Sequence, residues 1–149
     1  MLFRSGEFHT SRGMARPVTV TEDSTGMEPP EADIEIALTR DEIAVTGSPT
    51  AGEHTVAVHF QEQSEAGLGN DVHLVRLEGE TTAADVAPWM DWMNVDGLRS
   101  PAPAQFLGGT QEMPVGETAY FTVELEPGRY AWISEAPVSR SLFTEFSVE

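Results

Sequence analysis

From Asp33 onward, apolar and polar residues alternate with a period of two in one short segment after another. Ile34, Ile36 and Leu38 alternate with Glu35, Ala37 and Thr39, and Ile43 and Val45 continue the pattern before the turn cluster GSPTAGE. His54, Val56, Val58 and Phe60 share one face of the next segment, with Thr55, Ala57 and His59 on the other. After the polar stretch QEQSEAGLGN comes DVHLVRL, where Val72 and Leu74 oppose His73, Val75 and Leu77. Phe121, Val123 and Leu125 alternate with Tyr120, Thr122 and Glu124; an EPG turn leads into RYAWIS. The final segment, LFTEFSV, sets Leu142, Thr144, Phe146 and Val148 on one side. Successive side chains of a strand point to opposite faces, so each segment has one apolar face to bury. About seven strands of roughly 5–8 residues, bounded by Gly, Pro and Asp, predict a mainly β protein, an antiparallel β-sandwich.

One segment breaks the pattern. TTAADVAPWMDWM places Val86, Trp89, Met90 and Met93 at helical spacing, after a threonine suited to an N-cap and with Asp85 early in the run. A short helix inserted around residues 82–93 is expected, and Pro88 implies that it either begins near Asp85 or is kinked. Residues 94–116 then read as a Pro/Gly-rich crossover, with Gly108 and Gly109 as a turn. Trp89, Trp92 and Met93 are candidates for a partner-binding patch, because Trp and Met suit adaptable surfaces. Docking of the helix across an open edge or end of the sandwich is the commoner use of such residues.

Charge narrows the partners. The 149 residues include 25 acids and 8 bases, every base is arginine, and the formal net charge is −17. Residues 1–17 carry Arg4, Arg12 and Arg16 against Glu7, a local +2 that leaves −19 on the remainder. Residues 1–32 are therefore expected to be a flexible tail and acidic linker, and residues 33–149 the folded domain. The tail has no apolar stretch followed by a small-residue cleavage site, so it does not read as a signal peptide, and Met14 is an alternative start. Such an acidic body repels nucleic-acid phosphates and anionic membranes. An acid excess without lysine is the balance expected of a protein kept soluble in concentrated salt, which points to a halophilic source. The chain has no cysteine, so disulfides, thiolate zinc sites, iron–sulfur clusters and cysteine nucleophiles are excluded.

The segments TAGEHTVAVHF, DVHLVRL and LEPGRYAWIS, in that order, resemble the plastocyanin-like cupredoxins, particularly their bacterial and archaeal extracytoplasmic members. The resemblance covers about residues 33–149 and is most specific in LEPGRYAWIS. It implies a Greek-key β-sandwich and, for typical members, one-electron transfer at a type 1 copper. It places His73 at the position of the first imidazole ligand and Ser134 at the position of the ligand cysteine. A second histidine and a methionine should follow, yet no histidine occurs after His73 and no methionine after Met113. Type 1 copper requires two imidazoles, a thiolate and a weak axial donor. His73 and Ser134 are thus expected to be vestigial ligand positions in a cupredoxin-like domain without cofactor.

Other chemistry finds little support. His54 and His59 lie five apart on one strand and face opposite sides. His59 and His73, read as lying on successive antiparallel strands, come within diagonal reach and could form a two-histidine Cu(II) or Zn(II) site helped by Asp71. Acid pairs such as Glu78/Glu80 and Glu124/Glu126 are expected of any chain this acidic, and no G-x-S-x-G elbow or EF-hand loop is present. The sequence therefore predicts a non-catalytic binding or structural module of the cell envelope, acting on an unknown protein or small molecule. The alternative is a copper-binding or electron-transfer protein with an atypical site around His73.

Overall fold

The structure, a computed structural model, describes residues 17–19, 26–62, 70–91, 100–135 and 142–149. Among these, eight strands and one helix follow in the order β1 Ile34–Leu38, β2 Ile43–Thr46, β3 Gly52–Phe60, β4 Val72–Leu77, α1 Ala83–Met90, β5 Gln105–Thr110, β6 Thr118–Leu125, β7 Gly128–Ile133 and β8 Phe143–Val148. They form two four-stranded sheets, β2-β1-β3-β6 and β5-β4-β7-β8. Pairing is antiparallel except between β1 and β3, which run parallel with Ile34 opposite Val56. The mainly β sandwich expected from the alternation is the one observed, with that single parallel pair inside it.

The period-two faces meet in the interior. Ile34, Ile36, Leu38, Val56, Val58, Val72 and Leu74 have no exposed surface, and Tyr130 and Trp132 keep only 1%. Trp132 stacks on Phe146 at 5.5 Å between centroids and receives Phe121 edge-on at 6.2 Å. This aromatic column joins the sheets, since Phe121 belongs to the first and Trp132 and Phe146 to the second.

The second sheet also covers its outer face. Val75, Leu77, Ala131 and Ile133 form a smaller core with Ala83, Val86 and Met90 of α1. Eight residues are too few for a helix to persist alone in water. Burial of Val86 and Met90 contributes roughly 1.5–3 kcal/mol apiece at most, which is what holds it. The Thr82 amide donates to the Asp85 carboxylate at 2.9 Å, and the Ala83 amide to Glu145 of β8 at 2.7 Å, so two N-terminal donors have acceptors. The helix starts at Ala83, ahead of Asp85, and ends two residues after Pro88, whose ring offers no N–H to the ladder. Trp92 and Met93, the far end of the expected helix, lie outside the described residues.

The segment read as a crossover turn at Gly108-Gly109 is instead part of β5, an edge strand antiparallel to β4. The sequence hides it because QFLGGT does not alternate and both glycines serve close approach. Gly109 has φ +153°, and a Cβ there would lie 2.2 Å from the Val72 carbonyl oxygen; one on Gly108 would lie 3.2 Å from the Phe121 ring. The pairing slips between Leu74 and Val75, so β5 is bulged where it passes His73.

Candidate functional site at the end of the second sheet

The β4–β7 ladder fixes a cluster of three polar side chains. His73 lies opposite Ile133 across the ladder. Continuing that antiparallel register by two residues sets Asp71, just before β4, across from Glu135, just after β7. Alternate residues share a face, so all three belong to the side that carries α1. His73 Nε2 lies 3.0 Å from Asp71 Oδ2 and 3.8 Å from a Glu135 carboxylate oxygen. One ligand atom from each of the three lies within 4.8 Å of the others. The cluster is neither sealed nor free in water: side-chain exposure is 14% at Asp71, 21% at His73 and 36% at Glu135.

Neighbouring groups hold this arrangement in place. Asp71 Oδ1 accepts the Glu135 amide at 2.7 Å and the Ser134 hydroxyl at 3.3 Å, which leaves Oδ2 facing the imidazole. The Phe106 ring of β5 meets the His73 ring edge-on at 5.9 Å, and Trp89 of α1 packs on Phe106 at 5.6 Å. Burial opposes a charge on His73, but the hydrogen bond and charge of Asp71, with Glu135 behind it, outweigh burial and raise its pKa above the ordinary imidazole value. Burial raises the pKa of Glu135 above the carboxylate range, and the charge of Asp71 pushes the same way.

Ser134 is 1% exposed; its amide donates to the Leu142 carbonyl at 3.0 Å and its hydroxyl to Asp71. A type 1 copper centre does not fit these residues. The chain has no cysteine to supply a thiolate, the Ser134 hydroxyl is engaged with a carboxylate, and His73 is the sole imidazole of the cluster. The two-histidine site suggested for His59 and His73 does not form, because β3 and β4 lie in different sheets and are not neighbours. His59 instead shares a hydrogen bond with Thr118 at 3.0 Å. His54 faces inward between Asp33 and the Thr50 carbonyl, which accepts from Nε2 at 2.8 Å. Trp89 is half-buried against Phe106 and donates its indole N–H to the Ser100 carbonyl at 3.1 Å.

Glu135 is the site residue that sequence reasoning missed. It follows directly on Ser134, and pairing DVHLVRL with RYAWIS through their shared alternation would have placed it beside Asp71.

No protein-family profile matches the sequence, and no curated protein does. Solved structures do. Dithionite-reduced auracyanin from Roseiflexus castenholzii is 19% identical with a TM-score of 0.50, the match covering 77% of this chain and 94% of auracyanin. An azurin (Az-iso2) from Methylomonas sp. strain J is 15% identical over 77% of this chain and 85% of its own, with a TM-score of 0.46. Auracyanin B is 21% identical over 83% and 92%, with a TM-score of 0.42. The sandwich is a cupredoxin fold. On that fold this chain carries no cysteine.

Proposed function

We propose that this chain is a non-catalytic binding or structural module that keeps the cupredoxin fold and has lost the type 1 copper site. The observation that supports this reading is the absence of cysteine from the sequence, with Ser134, which the sequence resemblance sets at the thiolate position, buried and hydrogen-bonded to Asp71. Without that sulfur and a second imidazole there is no soft, strongly covalent copper site to carry an electron. The Ser134 hydroxyl is 1% exposed and donates to Asp71 rather than to an imidazole, which argues against its use as a nucleophile. The resemblance to extracytoplasmic cupredoxins favours the cell envelope, and among the described residues no helix is long and apolar enough to cross a membrane. The partner is proposed to be a protein or small molecule, and the charge of −17 argues against nucleic acid and anionic membrane surfaces. Trp89, near the end of α1, is the proposed contact residue; Trp92 and Met93, named with it from the sequence, lie outside the described residues. The acid excess without lysine supports a halophilic source.

Titrating the purified protein with Cu(II) tests the central claim. No intense visible thiolate-to-copper absorption should develop, and a blue complex at one equivalent would overturn the reading in favour of a copper protein with an atypical site around His73. The same protein melted in molar and millimolar salt tests the halophile assignment. Its melting temperature should fall as salt is withdrawn and repulsion lengthens its reach from ~3 Å to ~30 Å; an unchanged melting temperature would remove it.

A further inference from the structure

We propose that Asp71, His73 and Glu135 form a binding site for a redox-inert divalent cation of borderline softness, with Zn2+ as the best fit. The donor set is one imidazole nitrogen and two carboxylate oxygens. Imidazole selects Zn2+ and its transition-metal neighbours over Ca2+ and Mg2+, which prefer an all-oxygen shell. Bonds of about 2.0–2.2 Å to Zn2+ set neighbouring ligand atoms about 3.0–3.6 Å apart at right-angled to tetrahedral geometry. The two separations from His73 Nε2, 3.0 Å and 3.8 Å, bracket that range. A small rotation of the Glu135 side chain, the most exposed of the three, completes the approach.

Three features distinguish the cluster from the acid pairs scattered over this surface. Its ligands stand on or beside two hydrogen-bonded strands, so their spacing is set by backbone register rather than by mobile side chains. Ser134 and the Glu135 amide hold Asp71 by Oδ1, and the Phe106 edge fixes the imidazole, the kind of outer support that metal ligands have. Among the described residues Asp71 and Glu135 pair with His73 and with no arginine, whereas Arg76 and Arg129 pair with Glu126 and Glu145. With the imidazole neutral, as a metal ligand must be, the two carboxylates carry −2, which a divalent cation cancels. Three protein ligands leave a coordination position for water or for a donor from a partner.

The inference goes beyond the loss of type 1 copper and fails separately from it. Chelator-treated protein is titrated with Zn2+ by calorimetry in excess Mg2+, which occupies scattered surface carboxylates. One equivalent should bind saturably, and the ring nitrogens of His73 should shift in nitrogen-correlated NMR spectra. His73→Ala and Glu135→Gln should each weaken binding by roughly tenfold to a hundredfold, while His59→Ala leaves it unchanged. The conservative Glu135→Gln keeps the test valid if His73→Ala does not fold. Absence of a one-equivalent isotherm, or an isotherm that both site variants leave intact, would overturn the proposal. A blue copper complex would count against the preceding section alone.

Discussion

The β4–β7 ladder ends in two opposite ways. At one end, where Arg76 pairs across to Tyr130, the cation is matched by a carboxylate. Arg76 donates to the Glu126 carboxylate at 2.6 Å and to the Pro127 carbonyl at 3.2 Å, with its guanidinium 5.9 Å from the Tyr130 ring centroid. The Tyr130 hydroxyl donates back to the Glu126 carbonyl at 2.7 Å and accepts the Glu126 amide at 3.2 Å, much as a tyrosine corner ties a turn in other Greek-key sandwiches. At the other end two carboxylates share one imidazole. The same two strands thus close a local, ion-paired turn at one end and hold two carboxylates around one imidazole at the other. The proposed cation site lies at the second end.

Breaking the matched end should have the largest effect. Tyr130→Ala removes a ring that is 1% exposed and stacked on Phe146 at 5.4 Å, together with both of its hydrogen bonds to Glu126. A loss of about 3–5 kcal/mol is expected, as for other buried aromatics cut to alanine. Urea unfolding measures it. A loss below about 1 kcal/mol would mean that the corner does not anchor the ladder.

A backbone change near the acidic end should rank second. Gly109 lies opposite His73 at φ +153°, with the Val72 carbonyl oxygen where a Cβ would go. Gly109→Ala should cost more than about 1 kcal/mol and speed amide exchange in β4 and β5. Exchange unchanged in those strands would show that β5 tolerates a side chain opposite His73, and that the cluster is less rigidly built than its pairing implies.

The matched end was also the legible one. EPG followed by Arg-Tyr is contiguous, so turn chemistry and alternation together disclose it, and the same alternation discloses the inward faces of β1, β3, β6, β7 and β8. The acidic end joins residues 64 apart in sequence, and only the pairing of β4 with β7 brings them together. Resemblance led to His73 and Ser134 but carried no information on Glu135, because the motif LEPGRYAWIS ends at Ser134. β5 is hidden because glycines contribute no alternation, and His59 does not come beside His73 because β3 and β4, adjacent in sequence, are not adjacent in space. In a sandwich, a chain that leaves one sheet for the other separates consecutive strands, as it does between β3 and β4.

The smallest effect is the most discriminating, because the two ends should respond to the same substitution with opposite signs. Glu126→Gln takes away one half of an ion pair and should leave stability slightly lower or unchanged, since Glu126 is largely exposed. Glu135→Gln, in chelator-treated protein, should raise the melting temperature at about pH 9, where neither His73 nor a metal compensates the paired carboxylates. The sign follows from the two raised pKa values. A histidine raised in the folded state stabilises it below about pH 6.5 and loses that contribution as pH rises through the folded value. A carboxyl raised by burial and by Asp71 likewise favours folding while protonated, and opposes it once ionised. Both push the acidic end toward lower stability as pH rises, so removing the Glu135 charge helps most at high pH. Near pH 5 the gain should vanish or reverse, because a charged His73 then has use for Glu135. Equal responses from Glu126→Gln and Glu135→Gln across this range would mean that the two ends are electrostatically alike, and the contrast between them would be lost.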